Sequence, residues 1–346
     1  MKNELNFLNN LNRNFKLNFS VLSIILFFEI LSCESKTLIK KKNDYPNIIL
    51  IMSDDMGYSD ISPYGGEIDT PNLSYLTKNG LKFTQFYNAA RCCPTRASLL
   101  TGTYPHEAGI GHMMGNYGIS QYQGKLSYNV ITIPEVLKKA GYSTIMSGKW
   151  HLTKNDLDQW PLKRGFDNFY GLISGAANYF KSEYPGLIFE GNEKLNIGDE
   201  NYYTTDAFTD KAIEYIDKVK SENSEKPFFL YLSYNAPHWP LQAPKEDIDK
   251  YRGNYLKGWE NLREERYKRM IEMGLIDSSW DLSYDDIVSW NSLSKEKRKE
   301  MDLRMAIYAA MIDRMDQNIG RLINNLKSKG LYDNTIIMFL NDNGAC

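Results

Sequence analysis

Short, unbroken apolar runs alternate along the chain with longer stretches in which apolar positions recur at helical spacing. The residues Asn47-Ile-Ile-Leu-Ile-Met52 form one such run between Pro46 and Asp54, the pattern of a strand buried on both faces of a sheet. Similar runs recur at 143–147, 228–234 and 335–340. Between them, Thr70-Pro71 opens a helix toward Gly80, and Thr132-Ile-Pro-Glu135 reads as a capping box starting a helix that ends at Gly141. A third helix is predicted over 205–220, with Phe208, Ala212, Tyr215, Ile216 and Val219 on one face. The longest is predicted over 304–329, with Met305, Tyr308, Ile312, Met315, Ile319, Leu322 and Leu326 at helical spacing and Gly330 as its stop. Its methionines and tyrosine read as core packing. Strands alternating with helices predict an α/β fold, a mixed and mostly parallel sheet sandwiched by helices. The segment 245–300 breaks the alternation and is rich in Arg, Lys, Glu and Trp. It reads as a solvated helical insertion whose Trp259, Trp280 and Trp290 are candidate sugar contacts.

The N-terminus has a different pattern. Lys2, Arg13 and Lys16 precede an apolar run over 19–31, too short to span a bilayer comfortably and typical of a signal peptide, here 1–32. Its end, Ile30-Leu31-Ser32-Cys33, resembles a bacterial lipobox, which implies lipidation of Cys33 and a polar tether over 33–45. The mature chain is therefore expected to be exported, as a periplasmic or outer-membrane lipoprotein of a bacterium that meets the membrane through a lipid anchor only. Over 346 residues, 42% hydrophobic and 24% charged content excludes a disordered chain. Lys+Arg 41 against Asp+Glu 43 gives a net charge of −2 and excludes a nucleic-acid partner held by a basic surface. Besides Cys33, only Cys92, Cys93 and Cys346 remain. Adjacent cysteines bridge poorly, so in an oxidising compartment these thiols point to chemistry.

Asp54-Asp55 follows the first strand, where adjacent carboxylates repel unless a cation holds them. Asp342-Asn343 follows the last strand in the same manner. If the two strands are parallel neighbours, both pairs meet at the carboxyl edge of the sheet. An all-oxygen ligand set suits Ca²⁺ or Mg²⁺ and not Zn²⁺. Cys92, Pro94 and Arg96 precede a helical stretch, and a cysteine at a helix N-terminus near an arginine has a depressed pKa in a field that attracts anions. A thiolate nucleophile and a buried structural cysteine both fit at this point.

Cys92-x-Pro94-x-Arg96 followed by Ala97-Ser98-Leu99-Leu100-Thr101-Gly102 resembles the modification motif of the sulfatase family, within the alkaline-phosphatase-like superfamily. Gly141-Tyr-Ser-Thr-Ile-Met-Ser-Gly-Lys-Trp-His151 resembles its second motif. Asp54-Asp55, Pro237-His238-x-Pro240 and Asp342-Asn343-Gly344 complete the set in family order. The resemblance implies that a formylglycine-generating enzyme oxidises Cys92 to formylglycine (3-oxoalanine). It further implies that Asp54, Asp55, Asp342, Asn343 and the modified Cys92 hold a divalent cation, Ca²⁺ ahead of Mg²⁺. In the family's mechanism a hydroxyl of the hydrated aldehyde attacks sulfur, the alcohol departs, and the second hydroxyl then expels sulfate. His151 matches the base acting on the formylglycine hydroxyl, and His238 the group that protonates the leaving alcohol and contacts substrate. Lys149 and Arg96 match residues that neutralise sulfate oxygens. His112, in Gly109-Ile-Gly-His-Met113, is a further candidate for the pocket, and His106 reads as structural.

The resemblance assigns 46–346 to a sulfatase catalytic domain. Relatives continue past the second metal pair with another sulfate-binding lysine, further strands and a smaller C-terminal subdomain, so the expectation is an incomplete domain of reduced stability with an uncovered last strand. The function implied is a sulfuric ester hydrolase acting on aryl sulfates or sulfated glycans. Two alternatives stay open, a phosphodiesterase or phosphonate monoester hydrolase of the same superfamily and a non-catalytic glycan-binding surface lipoprotein.

Overall fold

The first apolar run forms β1 (Asn47–Asp54), whose side chains alternate between two cores. Ile49 and Ile51 enter one cluster with Phe208, Ile216, Met311 and Ile319, while Leu50 and Met52 enter the other with Ala97, Leu100, Trp150 and Tyr231. A strand buried on both faces has no need of polar alternation, which explains the unbroken run. The computed structural model describes residues 45–346 except 155, 184–185, 284–285 and 346. The predicted signal peptide, Cys33, the tether to residue 44 and Cys346 lie outside the described residues.

The remaining strands are β2 (Ser143–Lys149), β3 (Asn168–Leu172), β4 (Ile188–Glu190), β5 (Glu193–Lys194), β6 (Phe228–Pro237) and β7 (Thr335–Asn341). They form one seven-stranded sheet in the order β5-β4-β3-β2-β6-β1-β7. The β3-β2-β6-β1-β7 pairings are parallel and only β4 and β5 run antiparallel. This is the mixed, mostly parallel sheet the alternation predicts. Helices α1 (Pro71–Lys78), α4 (Thr204–Glu222) and α7 (Lys295–Ser328) contribute to one core, and α2 (Cys92–Thr101) to the other. In α3 (Ile133–Lys139) the predicted capping box is present, Thr132 accepting from Glu135 N–H and Glu135 from Thr132 N–H.

Several boundaries differ from expectation. Helix α7 begins at Lys295, not near 304, because Ser294 caps it by accepting from Lys297 N–H at 3.1 Å. Its first turns are rich in Lys and Glu and carry no apolar period to reveal them. Cys92, Pro94 and Arg96 lie inside α2, not ahead of it, with Arg91 as the N-cap. Strands β3 to β5 had no signal of their own, being short and, in β5, fully exposed. The insertion contributes α5 (Lys245–Tyr251) and α6 (Trp259–Glu272), and α6 buries no residue. Trp259 and Trp290 meet edge to face at 5.0 Å. With Trp280 they line a cavity of about 880 Å³ whose wall includes Ser59, Asp60 and Leu241. Strand β7 is the sheet edge among the described residues, with Ile336 48% and Met338 42% exposed.

Candidate active site at the carboxyl edge of the sheet

Four neighbouring parallel strands end side by side, and each delivers polar groups to one place. Asp54 ends β1 and Lys149 ends β2, while His238 follows β6 and Asp342-Asn343 follows β7. Parallel pairing of β1 with β7, from Asn47↔Thr335 to Ser53↔Asn341, sets the two acidic pairs together. Asp55 N–H donates to Asp342 Oδ1 at 3.3 Å, and Asn343 Nδ2 donates to Asp55 Oδ1 at 2.6 Å.

Arg96 reaches this edge from α2, fully buried. Its Nε and Nη2 donate to Asp342 Oδ2 at 3.0 and 2.8 Å, and its Nη1 donates to the Lys149 carbonyl at 3.0 Å and to Ser233 Oγ. Lys149 Nζ donates to Asp54 Oδ2, and both side chains are buried. Two cations and two carboxylates thus form one solvent-free network, where charges persist only because they are paired. Cys92 opens α2 beside it. Cys93 Sγ lies 3.3 Å from His151 Nε2. His238 Nε2 lies 3.5 Å from Asp55 Oδ2, and its Nδ1 donates to the Trp239 carbonyl at 2.7 Å. Because a carbonyl only accepts, Nδ1 carries the proton.

Asp55 and His151 have φ of 62° and 54°, left-handed conformations for residues with side chains. Such strain persists where the surroundings over-determine it, commonly at functional sites.

The field at this edge shifts several groups near Cys92. A hydrogen bond from Cys93, with further help from His151 and Lys149, holds the Cys92 thiol down at about 2, whereas its bond to Cys92 and burial push the Cys93 thiol up. Burial and the neighbouring Lys149 lower His151 to about 4. Burial, followed by Lys149, also lowers His238. Burial raises Asp54 well above the usual carboxylate range in spite of Lys149. Burial pulls Arg96 and Lys149 down, but Asp342 and Asp54 respectively more than compensate, so both remain cations.

These residues fit a hard divalent cation. Asp54 Oδ1 and Asn343 Oδ1 are buried and have no hydrogen-bond partner, a costly state that a cation would relieve. Ligand atoms of Asp54, Cys92 and Asp342 lie within 4.8 Å of one another, as do those of Asp54, Asp55 and His238.

A sulfatase family model matches residues 46–345. The chain belongs to the sulfatase family. An uncharacterized sulfatase of Schizosaccharomyces pombe is 40% identical over 323 residues, covering 87% of this chain and 58% of the relative. The arylsulfatase of Klebsiella aerogenes is 36% identical over 316 residues, covering 88% of this chain and 67% of that enzyme. A crystal structure of Ps i-CgsB in complex with k-i-k-neocarrahexaose aligns with a TM-score of 0.64 at 30% identity, covering 87% of this chain and 59% of that one. The chain thus spans about three fifths to two thirds of the length of these relatives.

Of the residues the sulfatase motifs single out, Asp54, Asp55, Cys92, Arg96, Lys149, His151, His238, Asp342 and Asn343 come together at this edge. His112 does not join them through any contact among the described residues. It is exposed, with Nε2 3.1 Å from Arg91 Nη1 and its ring against Tyr117. His106, also exposed, packs against the Tyr122 ring. Three supporting residues escaped the sequence reading. Ser233 accepts from Arg96 within β6. The buried Tyr179 hydroxyl shares its proton between the carbonyls of Asn235 and His238, at 2.6 and 2.7 Å, and so anchors the turn carrying His238. Tyr308, read from sequence as core, points its hydroxyl at the Asp55 carbonyl and Asp60 Oδ2, at 3.3 and 2.5 Å. None sits in a motif. Only the period that placed Tyr308 on the inner face of α7 hinted at its direction.

Proposed function

We propose that this sulfatase hydrolyses sulfate monoesters, aryl sulfates or sulfated glycans, with Cys92 as the precursor of its nucleophile. The observation that carries the reading is the pairing of two buried cations, Arg96 and Lys149, with Asp342 and Asp54 beside Cys92 at the N-terminus of α2. The arylsulfatase relative supports the aryl class, and a structural neighbour bound to an oligosaccharide supports the glycan class. Export and lipid anchoring at Cys33 belong to the same proposal and rest on the lipobox-like sequence.

In this reading a formylglycine-generating enzyme converts Cys92, and the hydrated aldehyde then supplies a hydroxyl nucleophile whose second hydroxyl allows sulfate to be released. Asp54, Asp55, Asp342 and Asn343 would hold Ca²⁺, which supplies Lewis-acid polarisation of the sulfate. Lys149 and Arg96 neutralise sulfate oxygens with charge already fixed by their carboxylate partners, so little reorganisation accompanies the transition state. His151 is neutral at pH 7 because its pKa lies near 4, and its imidazole accepts the proton of the attacking hydroxyl. His238 is oriented by its Nδ1–H bond to Trp239, and in its imidazolium form, in which Nε2 also carries a proton, Nε2 donates to the departing alcohol oxygen.

Rates on 4-nitrophenyl sulfate and 4-nitrophenyl phosphate, measured on the full chain co-expressed with a formylglycine-generating enzyme, test this reading. The expected result is a higher kcat/KM for the sulfate, falling by about 10³-fold or more in Cys92→Ala. Faster phosphate hydrolysis would instead indicate the phosphorus-ester reading. Unchanged turnover in Cys92→Ala would remove Cys92 from the mechanism.

A further inference from the structure

The sulfatase reading uses Cys92 and leaves its neighbour Cys93 without a role, yet Cys93 is buried and faces the site. Its Sγ lies 3.3 Å from His151 Nε2. Cys92, Cys93 and His151 are all buried, and one ligand atom from each lies within 4.8 Å of the other two. His151 Nδ1 is buried without a partner, so the ring has committed its other nitrogen to the thiols. Both cysteines lie in the first turn of α2, where free backbone N–H groups favour anionic sulfur.

The charge balance favours a divalent ion. Lys149 and Arg96 are already matched by Asp54 and Asp342. Two thiolates and a neutral imidazole would add a charge of −2 that neither of these already paired cations offsets. Two sulfurs and one imidazole nitrogen are the donor set of a tetrahedral Zn²⁺ site with one position left open. That chemistry is softer than the all-oxygen set of Asp54, Asp55, Asp342 and Asn343, with which it shares only Cys92.

We propose that, as long as Cys92 remains a cysteine, Cys92 Sγ, Cys93 Sγ and His151 Nε2 bind a thiophilic divalent ion, with Zn²⁺ the best match. Binding forms two metal–sulfur bonds and one metal–nitrogen bond. Any thiol protons leave to solvent, and no electron is transferred. The ion ties up the Cys92 sulfur and the His151 ring together, so unconverted protein is held in an inactive, metal-capped state. Replacement of the Cys92 sulfur by an aldehyde oxygen removes one of the two sulfur ligands and dismantles the site. The inference goes beyond the hydrolytic function and does not depend on turnover.

The test uses the full chain from a host without a formylglycine-generating system, reduced, metal-free and kept anaerobic, titrated with Co²⁺ and then Zn²⁺. One equivalent of Co²⁺ is expected to give near-ultraviolet sulfur-to-metal charge transfer and intense tetrahedral visible bands, both erased by Zn²⁺. Cys93→Ser is expected to lose about half the charge-transfer intensity and to weaken Zn²⁺ binding more than about tenfold. Cys33 and Cys346 remain in both proteins, so the difference reports on this site. Should Cys93→Ser fail to fold, converted wild-type protein, which keeps Cys93 but lacks the Cys92 sulfur, is expected to show the same loss. Absence of charge transfer in the unconverted protein would overturn the proposal. So would a spectrum that neither Cys93→Ser nor conversion alters, because the ion would then sit elsewhere.

Discussion

Gly175 packs flat against the imidazole of His151, so closely that a Cβ there would lie 2.5 Å from both Cε1 and Nε2 of the ring. The His151 backbone is itself held at a left-handed φ of 54°, so the ring has little freedom to retreat. Gly175→Ala is therefore expected to push the imidazole out of line, lowering kcat by about 10²-fold, the order that a displacement near 1 Å costs. A kcat within a few-fold of wild type in a normally folded variant would show that the ring position is not critical. Titration of the same residue sets a second expectation. His151 must be neutral to take a proton, and burial together with Lys149 lowers its pKa to about 4. Activity should fall as pH drops through about 4 and not through the ordinary histidine range near 6.5. A kcat–pH profile with its acidic limb near 6.5 would assign that limb to another group.

The elements divide into those the sequence announces and those it conceals. Strands β1, β2 and β6 were legible because burial on both faces makes them largely apolar runs, and β7 because its run is equally apolar although it is only partly buried. Their shared carboxyl edge follows from parallel pairing, so the meeting of Asp54-Asp55 with Asp342-Asn343 was legible as well. The start of α7 was not, because its exposed first turns follow a cap and no apolar stripe. Strands β3 to β5 were hidden by their brevity, and Tyr179 and Ser233 because a hydrogen bond to a backbone carbonyl or a distant arginine leaves no local trace. Strand β7 also carries a liability that can be measured. Its outer residues Ile336 and Met338 are 48% and 42% exposed on an unpaired edge among the described residues, a template for edge-to-edge association. Ile336→Lys with Met338→Lys is expected to reduce self-association of this chain in sedimentation or light scattering without loss of helical signal. Unchanged association would place the sticky surface elsewhere.

For the molecule as a whole, the two buried cations and three site carboxylates leave an excess of one negative charge, with orphaned oxygens on Asp54 and Asn343. A cation that binds only the folded state stabilises it by mass action, about 2.7 kcal/mol at a hundred times its Kd. Ca²⁺ is thus expected to raise the Tm, chelator to reverse the shift, and Asp55→Asn to abolish most of it. A Tm indifferent to Ca²⁺ and Mg²⁺ would mean that the oxygen cluster is satisfied in another way.

All of this chemistry rests on what Cys92 becomes. The most direct measurement is the mass of the peptide containing Cys92, taken from protein made in a host with a working formylglycine-generating system. The expected result is the aldehyde or its hydrate in place of the thiol. Only unmodified thiol, in a host that converts a control sulfatase, would contradict a formylglycine nucleophile and leave the site as a binding surface alone.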